Sequence, residues 1–207
     1  MRGRFIVLEG GDGSGKTTLA QTLAAALAAD GQSVVATREP GGTPAGQALR
    51  ALLLAADGPA FEPETELLLM TAARVQHVRQ IIAPALARGA IVVCDRFVGS
   101  TLAYQGSGAG LDTARILALH RDFADDLWPD VTLLLDLPPE LALARGRARL
   151  AASAANEGRF EARGLSFHTR VRAGFLALAR ALPGWTVLDA TQPADALLAT
   201  ARASLGA

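Results

Sequence analysis

The chain has 207 residues, enough for one domain with a full core. Half of the residues are hydrophobic, about a fifth are charged, and 20 basic residues balance 20 acidic ones. Zero net charge argues against a general nucleic-acid binder, and a single cysteine, Cys94, excludes an internal disulfide and fits a reducing compartment.

In chain order, Phe5-Ile6-Val7-Leu8 is a short apolar run ending in a glycine-rich turn, and it predicts a buried strand. Four apolar residues are too few for a signal peptide or a membrane span, so a soluble cytoplasmic protein with no membrane partner is expected. Leu19, Leu23, Ala26 and Leu27 fall at helical spacing between Lys16 and Ala29, and Gly31 supplies a stop. Residues 33–37 predict strand two. Residues 64–88 have a helical pattern that Pro84 is expected to divide. Residues 90–95 predict strand three and Asp112 to Phe123 a helix. Residues 131–136 predict strand four, with a helix from Glu140. Residues 185–189 predict strand five, and a last helix runs from Ala194. Apolar strands alternating with helices predict an α/β domain, a five-stranded parallel sheet covered on both faces. Ligands then belong at the carboxyl ends of the strands, where Glu9 to Lys16, Arg38-Glu39, Asp95-Arg96, Asp136 and Asp189 fall.

Gly10-Gly11-Asp12-Gly13-Ser14-Gly15-Lys16-Thr17-Thr18 contains the pattern G-x-x-x-x-G-K-[ST] between a strand and a helix. The glycines let backbone N–H groups turn around phosphate oxygens, and the helix N-terminus adds partial positive charge. Lys16 is expected to reach the β- and γ-phosphates of ATP, and Thr17 to offer its hydroxyl to Mg²⁺. Lys16 is the only lysine in the chain; the other 19 basic residues are arginine. A compact charge on a flexible stem suits a tight phosphate cradle better than a broad planar fork. With no second lysine, the guanine-reading Asn-Lys-x-Asp stretch of a GTPase cannot exist. Between Arg145 and Arg172 lie seven arginines and two acids, Glu157 and Glu161, as a phosphate-facing lid of a nucleoside monophosphate kinase would require. His77, His120 and His168 have no metal-ligand spacing and are expected to be structural or surface residues.

The stretch Thr37-Arg38-Glu39-Pro40-Gly41-Gly42-Thr43, the Ala-Ala-Arg of residues 72–74, Asp95-Arg96-Phe97 and Ala103-Tyr104-Gln105-Gly106 follow the glycine loop in that order. Gly158-Arg159-Phe160-Glu161 and Asp189-Ala190-Thr191 come after them. Together they make the whole chain resemble bacterial thymidylate kinase. The resemblance implies a P-loop kinase fold, transfer of a phosphoryl group from ATP to dTMP, and a homodimer packed through helices. It implies that Arg96 and Arg50 hold the dTMP phosphate, and that Arg74 and Gln105 read the thymine edge with Thr101 nearby. Tyr104 would crowd the sugar 2′ position, and Asp12 would approach the 3′-hydroxyl. Arg38, Glu39, Met70 and Ser100 complete the implied substrate set. Asp95 would act on Mg²⁺ through water or orient Arg96. The loop itself carries no arginine, so the catalytic arginine is expected from a lid over about residues 145–165. Arg149 and Arg159 are the candidates, with Arg147 behind them. Three positions depart from the family pattern: Met70 stands for a phenylalanine that stacks on thymine, and Gly99 and Gly158 stand where acids are common. Two other readings remain open, a deoxynucleotide kinase of different base preference and a non-catalytic nucleotide-binding subunit.

Overall fold

A computed structural model describes residues 2–151 and 157–206; the side chains of residues 149–151 lie outside that description. In chain order the elements are β1 (Phe5–Gly10), α1 (Lys16–Ala29), β2 (Val34–Arg38), α2 (Pro44–Leu54), α3 (Pro63–His77), α4 (Ala83–Ala87), β3 (Ile91–Asp95) and α5 (Val98–Thr101). There follow α6 (Thr113–Phe123), β4 (Val131–Asp136), α7 (Pro139–Ala151), α8 (Leu165–Ala181), β5 (Trp185–Asp189) and α9 (Ala194–Ser204). Two π-helical segments, Val78–Ile82 and Leu102–Gly108, join α3 to α4 and extend α5. All five strands are parallel, in the order β2-β3-β1-β4-β5. β1 is buried along its whole length, whereas the edge strands β2 and β5 are largely half-exposed.

Alternation along β1 sends side chains into two cores. Ile6 and Leu8 pack with Leu19, Leu23 and Leu27 of α1 and with Leu197 and Ala201 of α9. Phe5 and Val7 face the opposite side, with Val78, Ile82, Cys94, Phe97 and Ile116. A third cluster joins Tyr104 to Phe160, Phe167, Val171 and Phe175 under the rim of the site. β1 ends between β3 and β4, so the glycine loop emerges at the centre of the sheet, at its carboxyl edge.

Local signals set several boundaries. The Thr43 side chain caps α2 by accepting from the Gly46 N–H, with Pro44 in the first turn, and Asp112 caps α6 through the Ala114 N–H. The expected division at Pro84 needs correction. The helix carries on through the proline, because the register changes upstream: the Ala83 N–H reaches back five residues to the Val78 carbonyl. Pro84 then lies in the first turn of α4, where an absent N–H leaves no gap. Among the described residues no helix is long and apolar enough to cross a membrane.

Candidate active site

The glycine loop turns from β1 into α1 through three residues of positive φ, Gly10, Gly13 and Gly15. At Gly13 a Cβ would lie 2.3 Å from the Ala142 carbonyl oxygen, so only glycine lets the loop pass under α7. Gly15 is the N-cap of α1 and offers no side chain to the first N–H groups, which stay available to an anion. Lys16 is buried, and its ammonium donates to the Gly11 carbonyl at 2.6 Å and to Ser14 Oγ at 3.3 Å. Burial, with Arg96 nearby, lowers its pKa to about 8; Asp95, Asp12 and Glu9 counteract part of that.

β3 delivers Asp95 and Arg96 beside this loop. Thr17 Oγ1 donates to Asp95 Oδ2 at 2.6 Å, while the buried Asp95 Oδ1 has no hydrogen-bond partner. A hydroxyl and a carboxylate oxygen placed together, with one lone pair unanswered, suit a Mg²⁺ ion that takes one or two protein oxygens and completes its shell with phosphate and water. Among the described residues no group of three or more His, Cys, Asp or Glu could form an all-protein metal cage. Arg96 adopts a left-handed backbone, φ 70°, which turns its guanidinium over the loop. One amine donates to the Gly10 carbonyl and Ser100 Oγ, at 2.8 and 2.9 Å. The other donates to Asp12 Oδ1 at 2.6 Å and to the Tyr104 hydroxyl at 3.3 Å. Tyr104 in turn donates to Asp12 Oδ2 at 2.6 Å. Burial alone would raise the Asp12 pKa, but Arg96, Lys16 and the Tyr104 hydroxyl hold it below the ordinary carboxylate range.

A cavity of about 450 Å³ runs from this loop to α3 and α5. At its far end Arg74 and Gln105 are buried in the wall. Arg74 Nε donates to Glu39 Oε2 at 2.9 Å and Nη2 to Thr101 Oγ1 at 2.7 Å. Glu39 is held from its other oxygen by His77 Nδ1 at 2.9 Å, and His77 Nε2 meets Thr37 Oγ1 at 2.6 Å. Gln105 Nε2 donates to Glu66 Oε1 at 2.8 Å. Met70, Ser100, Thr101, Arg38, Glu39 and Arg50 also line the cavity. Arg50 makes a bidentate pair with Glu157, at 2.9 and 2.7 Å, and donates to the Pro40 carbonyl.

The arginine-rich segment is less uniform than its composition suggests. Arg145 lines the cavity and donates to the Ala190 carbonyl. Arg159 is turned away: it stacks on Phe61 at 4.6 Å and donates to the Pro59 carbonyl. Arg172 pairs with Asp136 and Arg170 with the Gly108 carbonyl, so both brace α8. Arg147 is exposed, and the Arg149 side chain lies outside the described residues. All three histidines are buried, His120 and His168 with backbone carbonyl partners and His77 between Glu39 and Thr37.

Three residues of consequence had no individual role in the expected site. Glu9 is fully buried, and burial pushes its carboxyl up to about 7 against opposing bonds from Ser100 and Phe97 and the charge of Arg96. It fixes the turn that carries Arg96 and Ser100. A Cβ on Gly99 would lie 2.8 Å from Glu9 Oε1 and 3.0 Å from the Trp185 ring, which explains why no acidic side chain stands there. Glu66 and Arg145 are the others. The position of Glu9 at the end of β1 was a usable signal, whereas Glu66 is recognisable only through its spatial neighbours.

The family model described as thymidylate kinase matches residues 8–200. Thymidylate kinase of Cereibacter sphaeroides is 54% identical over 205 residues, covering 99% of this chain and 94% of the relative. That of Pseudomonas fluorescens is 50% identical over 208 residues, covering 97% of each. A crystal structure of thymidylate kinase from Ehrlichia chaffeensis superposes with a TM-score of 0.78 at 32% identity, covering 99% of both chains.

Proposed function

The chain belongs to the thymidylate kinase family, and we propose that its cavity joins ATP to dTMP for direct transfer of the γ-phosphoryl group, giving ADP and dTDP. One observation carries this reading: a phosphate cradle and a pair of base-edge groups share one cavity, with Arg96, Asp12 and Tyr104 between them.

No covalent intermediate is needed. The protein aligns donor and acceptor and neutralises charge as it moves between oxygens. The glycine loop and Lys16 hold the donor phosphates. Thr17 and Asp95 would hold Mg²⁺, which would supply positive charge to offset the phosphates. Arg96 is braced by Asp12 and the Gly10 carbonyl, with its guanidinium presented to the acceptor phosphate at the seam between the two sites. Arg50 would leave Glu157 to join it, and Arg38 lies in the same wall. Tyr104 and Asp12, locked together, form the sugar contact: the ring blocks a 2′ substituent and the carboxylate accepts from a 3′-hydroxyl. Arg74 and Gln105 meet the polar edge of the base beside Met70. In the arginine-rich lid, Arg145 already lines the cavity and Arg159 is the arm that enters on closure; Arg149 is the second candidate, with its side chain outside the described residues.

Exposed Leu68 on α3 and Leu117 and Phe123 on α6, two helices in contact, support a homodimer packed through these faces. A cytoplasmic location agrees with the single, buried Cys94.

Chromatography of a reaction containing Mg·ATP and dTMP tests the proposal. ADP and dTDP are expected in equal amounts, and far more slowly from Lys16→Met. Bound ATP with no dTDP from the folded wild type would leave only a nucleotide-binding subunit.

A further inference from the structure

Glu66 takes no part in the reaction described above, yet it is 0% exposed and lies directly behind Gln105. Its Oε1 accepts from the Gln105 amide nitrogen at 2.8 Å. Its Oε2 accepts from Arg163 Nη2 at 2.9 Å, and Arg159 Nε stands 4.0 Å away. A carboxylate oxygen accepts hydrogen bonds, and both Glu66 oxygens do so here, one from Gln105 and one from Arg163. Of the two ends of a glutamine amide, only the NH₂ end satisfies it.

We propose that Glu66 is a positioning residue for base selection: by holding the Gln105 NH₂ group, it commits Gln105 Oε1 to the cavity as a fixed acceptor. This rests on the reading of Gln105 as a base contact. A fixed acceptor accepts the ring N–H of a 2,4-dioxo pyrimidine and opposes the bare ring nitrogen of a 4-amino pyrimidine. Arg74 is oriented by the same device, since Glu39 and Thr101 take its Nε and Nη2. Its remaining amine, Nη1, suits a carbonyl oxygen of the base and repels an exocyclic amine. Two buried carboxylates, one behind each polar contact, thus give the far end of the cavity a one-way donor and acceptor pattern. Leaving a buried polar group unmatched is the costly part of such discrimination.

Glu66 also anchors Arg163, whose guanidinium lies over Phe160 at 5.1 Å and Phe167 at 4.5 Å. Arginine anchoring alone is therefore the competing role, and the experiment separates the two. The ratio of kcat/KM for dTMP over dCMP is measured, with kcat and KM resolved, for wild type, Gln105→Met, Glu66→Gln and Arg163→Gln. A glutamine at 66 can turn either end of its amide towards Gln105, so the orientation is released. The expected result is a fall in the ratio of about tenfold or more in both Gln105→Met and Glu66→Gln, with Arg163→Gln close to wild type. NMR of the wild type gives a second readout that does not depend on any variant folding. The Gln105 side-chain NH₂ protons are expected to exchange slowly with solvent before dTMP is added and to keep their shifts after it binds.

A folded Glu66→Gln with the wild-type ratio, beside a reduced ratio in Gln105→Met, overturns the positioning role and leaves the base contact standing. So does a ratio that falls equally in Arg163→Gln, or an NH₂ signal that shifts strongly on dTMP binding. An unchanged ratio in Gln105→Met removes the base contact itself, and the inference falls with it.

Discussion

At the phosphate end of the cavity, the charged groups hold one another and the backbone. Lys16 donates to the Gly11 carbonyl, Thr17 to Asp95, and Arg96 to Asp12 and the Gly10 carbonyl, all within or beside one loop. At the base end the contact groups are neutral or singly charged, and buried carboxylates hold them from behind: Glu39 for Arg74, Glu66 for Gln105. The first arrangement supplies charge where charge moves. The second supplies direction where only shape and hydrogen-bond sense distinguish one base from another. Damage at the phosphate end is therefore expected to lower kcat, and damage at the base end to raise the KM for dTMP.

The largest effect is expected at Lys16. Lys16→Met removes the only cation inside the glycine loop, and kcat is expected to fall about 10²–10³-fold with a smaller change in the KM for dTMP. Lys16→Arg tests shape against charge: most of the loss is expected to persist, because the cradle is built for a point charge. Full activity in Lys16→Arg would show that charge alone suffices. Next, Arg74→Met removes a buried partner of Glu39. Denaturant unfolding is expected to show a loss of about 3 kcal/mol, and steady-state kinetics a raised KM for dTMP with kcat less affected.

A third prediction concerns pH and separates the two carboxyl environments near Arg96. The folded-state pKa of Glu9, about 7, lies above its ordinary value of 4.5, so the folded protein holds this proton more tightly than the unfolded chain. Its contribution is complete below pH 4.5, declines between pH 4.5 and 7, and is gone above that. The span corresponds to stability on the order of 3 kcal/mol. Glu9→Gln is expected to flatten this part of the stability curve relative to wild type; parallel curves would contradict the assignment. Lys16 has the opposite sense. With its pKa at about 8, it loses its charge in the empty site above that pH, so ATP binding there is expected to take up a proton. Calorimetry of ATP binding at pH 8.5, in two buffers of different ionisation enthalpy, reads that uptake.

The smallest effect is expected at Met70→Phe. A ring in that wall would stack on the base and lower the KM for dTMP by a few-fold, within the roughly 0.5–1.5 kcal/mol of an aromatic pair. An unchanged KM would mean that Met70 already fills the contact.

These differences follow how much of each region is local in sequence. The strands and the glycine loop were legible because apolar runs and G-x-x-x-x-G-K-T are decided within a dozen residues. β4 and β5 fall at the expected residues, and β1 extends two residues further, to Gly10. The uninterrupted helix through Pro84 was not legible, because a π turn hides the proline in a first helical turn. α8 was not legible although Phe167, Val171, Gly174 and Phe175 mark one buried face at helical spacing, because the arginines on its other positions give the stretch the composition of a lid. Arg159 and Arg145 illustrate the same limit in the site: both lie in one basic segment, and only the fold turns one towards the cavity and the other onto Phe61. Glu66 and Gln105 are 39 residues apart and His77 and Glu39 are 38 apart, so neither partnership leaves a local trace.

The most direct test of a cavity with a phosphate end and a base-selecting end is a side-by-side measurement of ADP formation from Mg·ATP with dTMP, dUMP, dCMP and dGMP. The account predicts the highest kcat/KM for dTMP, a lower one for dUMP, and values for dCMP and dGMP at least about a hundredfold below dTMP. Equal turnover of dCMP or dGMP would contradict it, keeping the phosphate chemistry and removing Arg74 and Gln105 from their place at the base.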